Sequence, residues 1–135
     1  MYQHHTTVRV RYAETDQMGY VYYGNYATYF EVARVEAIRQ LGLSYKGLEE
    51  AGIMMPVLEN YSKFVKPALY DDLLEITVTI KEMPSASIIF HYEIHNQEQN
   101  LIHFGHTRLV FVSTSNRRTC RAPESLLTAL EPHFT

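Results

Sequence analysis

Asp16 is the residue of this sequence best placed to do chemistry. It stands in the segment Thr15-Asp16-Gln17-Met18-Gly19-Tyr20-Val21-Tyr22-Tyr23-Gly24-Asn25-Tyr26, which begins as a strand pattern ends and finishes as a helical one begins. The carboxylate is thus held in a loop just ahead of a helix start. A helix start presents unpaired backbone N–H groups and a partial positive charge. A carboxylate facing such donors is half of a hydrolytic site. It can attack a carbonyl or activate a water, while the donors stabilise the oxyanion that forms. The same position suits an aspartate that caps a turn. Gly19 and Gly24 allow a tight loop and a close approach of backbone to a substrate, or serve simply as turn glycines.

The other reactive side chains form weaker patterns. Glu31 lies on the helix, where a solvated or salt-bridged surface role suits it. Of the seven histidines, His91 and His95 share a strand face, and His103 and His106 fall on opposite faces. None of these spacings matches a zinc site, so no metal is expected. Cys120 has no histidine placed near it by a local motif, which argues against a thiol nucleophile. The sequence lacks G-x-S-x-G, which excludes a serine hydrolase of that class, and lacks a Walker-type phosphate loop.

Composition narrows the setting. The 135 residues suit one domain covering 1–135, and 46% hydrophobic with 20% charged residues suits a packed, soluble fold. The net charge of −3 argues against a nucleic-acid partner. No apolar run approaches the roughly 20 residues of a membrane span. The first residues, Met1-Tyr2-Gln3-His4-His5, lack a basic start and an apolar core, so no signal peptide is read. A single cysteine rules out an intramolecular disulfide, and a cytoplasmic protein is expected. Eleven tyrosines supply apolar area with polar tips, which suits clefts and interfaces.

The elements that must position Asp16 follow from periodicity. Residues 6–12 alternate as a strand, with Val8, Val10 and Tyr12 on one face. Asn25 is the expected N-cap of a helix of about four turns, with Tyr26, Tyr29, Phe30, Ala33, Ala37 and Leu41 on its apolar side and Glu31, Arg34, Glu36 and Arg39 on its polar side. Gly42 fits its C-terminal stop. A short helix over 45–51 is capped by Ser44 and stopped by Gly52. Strands are expected over 54–66, over 74–81, around 88–95 and over 101–114, where 109–112 is apolar on both faces. Pro123 opens a last short helix over 124–130. One long helix on an antiparallel sheet of about four further strands is an α+β two-layer design. The doubly apolar strand calls for a covering partner.

The aspartate loop also resembles the signature of the 4-hydroxybenzoyl-CoA thioesterase family of hotdog-fold enzymes. Thr15-Asp16, Gly19, Val21-Tyr22-Tyr23 and Asn25-Tyr26 carry the resemblance, with Tyr61-Ser62-Lys63-Phe64-Val65-Lys66-Pro67 and Asp71-Asp72 as weaker support. It covers nearly the whole chain and implies a hotdog fold, an antiparallel sheet wrapped around the long helix. It implies an acyl-CoA substrate, hydrolysed without a cofactor to free acid and CoA. Asp16 matches the family's catalytic aspartate, as nucleophile or as general base. Some hotdog thioesterases use a helical carboxylate instead, and the resemblance makes Glu31 the candidate in reserve. Tyr23 falls where the family polarises the thioester carbonyl with a backbone N–H. Many relatives, including thioesterases linked to the Tol–Pal system, carry His there. Tyr23 puts an imidazole role in doubt but leaves a main-chain role intact.

The resemblance makes Lys63, Lys66, Arg117, Arg118 and Arg121 candidates for the CoA phosphates, and Ser62 and Ser113 weaker ones for the pantetheine. It implies a homodimer with the site at the subunit interface, often paired into a homotetramer. Tyr20, Tyr22, Tyr26 and Tyr29 are expected to line the acyl pocket. A thioesterase acting on acyl-carrier protein, or a non-catalytic acyl-CoA-binding hotdog protein, are the alternatives. A hotdog dehydratase fits less well, since its usual histidine is not evident in this loop.

Overall fold

The computed structural model describes residues 1–134. In chain order the elements are β1 (Tyr2–Arg9), a 3-10 turn (Tyr12–Glu14), α1 (Asn25–Gln40), α2 (Tyr45–Glu50), β2 (Ile53–Met54), β3 (Val57–Phe64), β4 (Leu73–Ile80), β5 (Ser87–His95), β6 (Leu101–Ser113), β7 (Thr119–Cys120) and α3 (Glu124–Leu130). The strands pair antiparallel in the order β1-β4-β5-β6, and β3 with β2 runs along the far edge of β6. β7 pairs with Phe111 and Val112 of β6, beyond the reach of β5.

Period-two alternation builds the core. Leu74, Ile76, Val78 and Ile80 of β4 and Ile88, Phe90, Tyr92 and Ile94 of β5 are all buried on one sheet face. α1 lays Tyr26, Tyr29, Phe30, Ala33, Ala37 and Ile38 onto that face. Ala33 and Ala37 let the helix approach closely, and the Phe30 ring stacks on Tyr92 with centroids 4.0 Å apart. Each large apolar side chain so buried contributes about 1.5–3 kcal/mol. A sheet curled around a central helix is the hotdog arrangement.

Several elements differ from expectation. β1 begins at Tyr2 and stops at Arg9, because its antiparallel partner β4 begins at Leu73 opposite Arg9. Val10 still exchanges backbone hydrogen bonds with Asp71 and Asp72 at 3.0 and 2.9 Å, then the chain turns, and Tyr12 swings outward to stack on Tyr70 at 3.7 Å. The run expected over 54–66 is two strands, broken at Met55-Pro56, where proline supplies no ladder donor. Arg34 lies on the buried side of α1 rather than its polar side, at 7% exposure. In β6, Leu109 and Phe111 are buried under the helix layer and Val110 and Val112 are half-buried. That strand is central, flanked on both edges, and the sheet has seven strands among the described residues.

The other edge of β3 is unpaired among the described residues. It exposes Val57, Leu58, Tyr61 and Phe64. An apolar strand with open backbone groups is a template for a further strand.

Candidate active site

Glu14 organises the loop that carries Asp16. It closes the 3-10 turn after β1 and is 9% exposed. Its Oε1 accepts the N–H of Arg11 and the hydroxyl of Tyr29, each at 2.9 Å. Its Oε2 accepts Nη2 and Nε of Arg11 at 2.9 and 3.2 Å. Burial alone would raise the pKa of this carboxyl. Hydrogen bonds from the Arg11 backbone, the guanidinium and Tyr29 outweigh it and hold the pKa below its ordinary value. The Glu14 carbonyl accepts the Tyr22 N–H and the Asn25 side-chain amide, both at 2.8 Å. Asn25 is therefore not the N-cap. It is the first residue of α1, Gly24 occupies the cap, and its amide reaches back across the loop.

Within this frame the loop folds tightly. Thr15 and Val21 form an antiparallel bridge. The Asp16 N–H donates to the Tyr20 carbonyl at 2.8 Å, and Gly19 donates to the Asp16 carbonyl at 3.0 Å. Gly19 has a φ of +83°, which a side chain resists. Oδ1 of Asp16 accepts the N–H groups of Met18 and Tyr20 at 2.9 and 3.2 Å. Among the described residues Oδ2 accepts nothing, so one carboxylate oxygen is anchored and the other is available.

Asp16 borders a cavity of about 320 Å³ whose walls include Tyr23, Tyr26, Phe64 and Lys66. Around the start of α1, the Tyr22 N–H bonds the Glu14 carbonyl and the Asn25 N–H bonds the Tyr22 carbonyl at 2.9 Å. Between them, the N–H groups of Tyr23 and Gly24 have no acceptor among the described residues. A half-buried carboxylate and Tyr23, one of the two residues with a free donor at the helix start, thus border one apolar hollow. This arrangement can activate a nucleophile and hold an oxyanion.

The remaining expected residues divide. Tyr23 and Lys66 join Asp16 at the cavity, and Gly19 and Gly24 shape its loop. Lys63 does not join them. It pairs with Phe104 in the β3–β6 register, on the sheet face away from α1. Arg117 and Arg118 lie in the turn after β6, and Arg117 borders a separate hollow with Met54, Met55 and Val112. That end of β6 is far from His103 and the cavity, because a strand advances about 3.3 Å per residue. Arg121 follows β7 at the same end and is exposed. Tyr20 and Tyr26 line the cavity as expected, but Tyr22 is exposed and tilts against Tyr23. Tyr29 is buried on Glu14 instead.

His103 is a site neighbour that lies outside the aspartate-loop motif. Its ring is fully buried, stacked on Tyr26 at 3.9 Å and met edge-on by Phe64 at 4.7 Å. Nε2 lies 3.0 Å from the Ser62 hydroxyl, and Nδ1 has no partner. Burial lowers its pKa to about 4, so it stays neutral and backs two cavity walls. The inward alternation of His103, Gly105, Thr107 and Leu109 on β6 was the available signal.

Residues 10–130 match the model of the thioesterase-like superfamily. The chain belongs to the thioesterase-like superfamily. It is 31% identical over 120 residues to the acyl-CoA thioester hydrolase YbgC of Escherichia coli O6:H1, covering 89% of this chain and 90% of that one. It is 36% identical over 89 residues to the putative acyl-CoA thioesterase YneP of Bacillus subtilis, a match spanning 66% of this chain and 64% of the relative. The DHNA-CoA thioesterase of Staphylococcus aureus superposes with a TM-score of 0.86 at 33% identity, over 99% of this chain and 85% of that one.

Proposed function

We infer that this protein hydrolyses acyl-CoA thioesters to the free acid and CoA. The observation that carries the reading is Asp16 with one oxygen anchored and one available, in the same cavity as the free N–H of Tyr23. The thioester carbonyl lies between them. Its oxygen takes the N–H groups of Tyr23 and Gly24, which gain strength as negative charge develops on it. Oδ2 of Asp16 attacks the carbonyl carbon or takes a proton from an attacking water. CoA leaves as the thiolate, and where Asp16 has attacked, water then cleaves the acyl–Asp16 anhydride to release the acid and restore the carboxylate. The apolar walls exclude competing solvent, and no cofactor takes part.

Lys66 is the cation at the cavity that serves the CoA moiety. Lys63 lies on the other face of its strand, and Arg117 and Arg118 reach such a site only from another copy. The open apolar edge of β3 favours a homodimer joined through β3, and pairing of dimers gives a homotetramer. One domain over residues 1–135 and a cytoplasmic setting complete the reading.

The test is release of CoA thiol from a panel of aromatic and aliphatic acyl-CoAs and one acyl-carrier-protein thioester, by the parent protein and Asp16→Asn. Turnover that the variant loses while staying folded supports both the activity and the residue. Full activity of Asp16→Asn would remove Asp16 from the mechanism and bring Glu31 forward. Activity on the carrier-protein thioester alone would change the substrate.

A further inference from the structure

A second cavity, of about 210 Å³, lies further along α1 and is lined by Thr28, Glu31, Arg34, Asn60 and Thr107 among others. Arg34 is its unusual member. The residue is 7% exposed, its Nε has no hydrogen-bond partner, and no carboxylate pairs with it among the described residues. A buried guanidinium without an anion is costly, and proteins pair such charges. The hydroxyls of Tyr92 and Tyr45 lie against it, but neutral phenols do not balance a guanidinium charge. Tyr92 is already engaged with the Thr107 hydroxyl at 2.6 Å, and the Tyr45 hydroxyl is itself unpartnered. Glu31, one turn earlier on the helix, is exposed and makes no ion pair with Arg34.

This cavity lies in line with the one that holds Asp16. Phe64 of the first and Asn60 of the second are four residues apart on β3 and face the same side, opposite His103 and Thr107 of β6. Tyr26 and Ala27 are consecutive on α1, one lining each cavity. The helix rises 1.5 Å per residue and side chains lean toward its N-terminus, which puts the guanidinium roughly 10 Å beyond the N–H of Tyr23. The Tyr26 ring, stacked on His103 and edge-on to Phe64, stands between the two cavities, so the path from a carbonyl held at Tyr23 to Arg34 runs past this ring along the α1–β3 seam.

We propose that Arg34 is a specificity-determining residue, and that this cavity receives the far end of an acyl group bearing an oxygen acceptor, a carboxylate or a hydroxyl. The proposal rests on the thioesterase reading. Arg34 supplies fixed N–H donors to that oxygen, and Asn60 and Thr28 add polar contacts at the wall. A site built around a buried donor rejects an analogue that leaves the donor unpaired. An acyl group ending in a methyl or a bare ring edge does so.

The experiment compares kcat/KM for two matched pairs, adipoyl-CoA against hexanoyl-CoA and 4-hydroxybenzoyl-CoA against benzoyl-CoA. The parent protein is expected to favour the oxygen-bearing member of at least one pair by about 100-fold or more. The favoured pair tells carboxylate from hydroxyl. Arg34→Gln is expected to collapse that preference to a few-fold. Arg34→Lys, which keeps the charge but not the fork, is expected to retain part of it. Equal rates within both pairs for the parent protein overturn the proposal whether or not any variant folds. So does a variant that slows both members of a pair alike, or one that changes only the oligomeric state, as an ion pair to a second copy would.

Calorimetry with non-hydrolysable thioether analogues of both pairs separates the two readings. Arg34-dependent discrimination in binding by a protein that turns over nothing would leave the subsite standing and overturn the hydrolase. Turnover without discrimination would do the reverse.

Discussion

The hydroxyl of Tyr29 lies 2.9 Å from Oε1 of Glu14, joining the buried face of α1 to the loop that carries Asp16. Through Glu14 this contact fixes both ends of the loop, since the Glu14 carbonyl also holds Tyr22 and Asn25. Burial first, and then the Glu14 carboxylate, raise the Tyr29 pKa, so the hydroxyl is a donor at any working pH. Tyr29→Phe removes the donor without altering the packing. The expected outcome is a kcat lowered about tenfold with KM less affected, and a stability loss of about 1–2 kcal/mol. Steady-state kinetics and denaturant unfolding check it. A loss confined to stability would show that Asp16 does not depend on this anchor.

Asp16→Asn is nearly isosteric and can still accept the Met18 and Tyr20 N–H groups through its carbonyl oxygen. The loop is therefore expected to survive and kcat to fall by about 10²–10⁴-fold. A single turnover in ¹⁸O-water, with a hydroxylamine trap run beside it, decides between the two roles. With enzyme in excess, attack by Asp16 forms an acyl–Asp16 anhydride that hydroxylamine intercepts, and water opening it at the Asp16 carboxyl carbon sends an unlabelled enzyme oxygen into the first product and leaves label on the protein. General-base catalysis labels the product at once. Mass spectrometry of acid and protein reads both.

The hotdog layout was legible because its two periods are clean. Residues 74–80 and 88–94 alternate without a fault, and Tyr26, Tyr29, Phe30, Ala33 and Ala37 mark one helical stripe. The Asp16 loop was legible as a motif. What escaped was anything set by partners remote in sequence. β1 ends where its antiparallel partner β4 begins, and Tyr12 leaves the expected alternation just beyond it. Arg34 looked polar-faced because helical spacing ranks charge as exposed, whereas Tyr45 and Tyr92 surround it. Lys63 and Lys66 looked equivalent, but strand parity and the chain's turn after Phe64 send only Lys66 to the cavity. The role of Glu14 depends on Tyr29, fifteen residues on, and no local pattern announces it.

Acid should weaken this fold in two overlapping windows. His103 has a pKa of about 4 when folded against an ordinary 6.5, because burial disfavours its charge. The unfolded chain therefore binds the extra proton between those values, and stability falls as pH drops from about 6.5 to 4. Glu14 has its folded pKa depressed. Its contribution is present above the ordinary carboxyl value and is lost as pH falls through the lower folded one. His103→Leu should flatten the upper window and leave the lower. Glu14→Gln should flatten the lower. Unfolding midpoints in denaturant measured from pH 7 to 3 test both, and an unchanged upper slope in His103→Leu would contradict a buried neutral imidazole.

Two glycine substitutions should fail for different reasons. At Gly19 a Cβ meets nothing, but φ is +83°, so Gly19→Ala costs about 1–2 kcal/mol of left-handed strain borne by the Asp16 loop. At Gly105 φ is ordinary, but a Cβ would run into the carbonyl of Tyr61 and approach the Phe30 ring to 3.2 Å. Relief requires β3 to move off β6 or α1 to lift from the sheet. Gly105→Ala is expected to cost about 1–3 kcal/mol or more, since backbone cannot yield as a flexible side chain does. The kinetics should also separate. Gly19→Ala disturbs the carboxylate and lowers kcat. Gly105→Ala shifts Phe64 and Lys66 on the opposite wall and raises KM. Thermal unfolding with kcat and KM for both variants on one acyl-CoA distinguishes loop strain from wall displacement, and matching kinetic defects would show that the cavity moves as a unit.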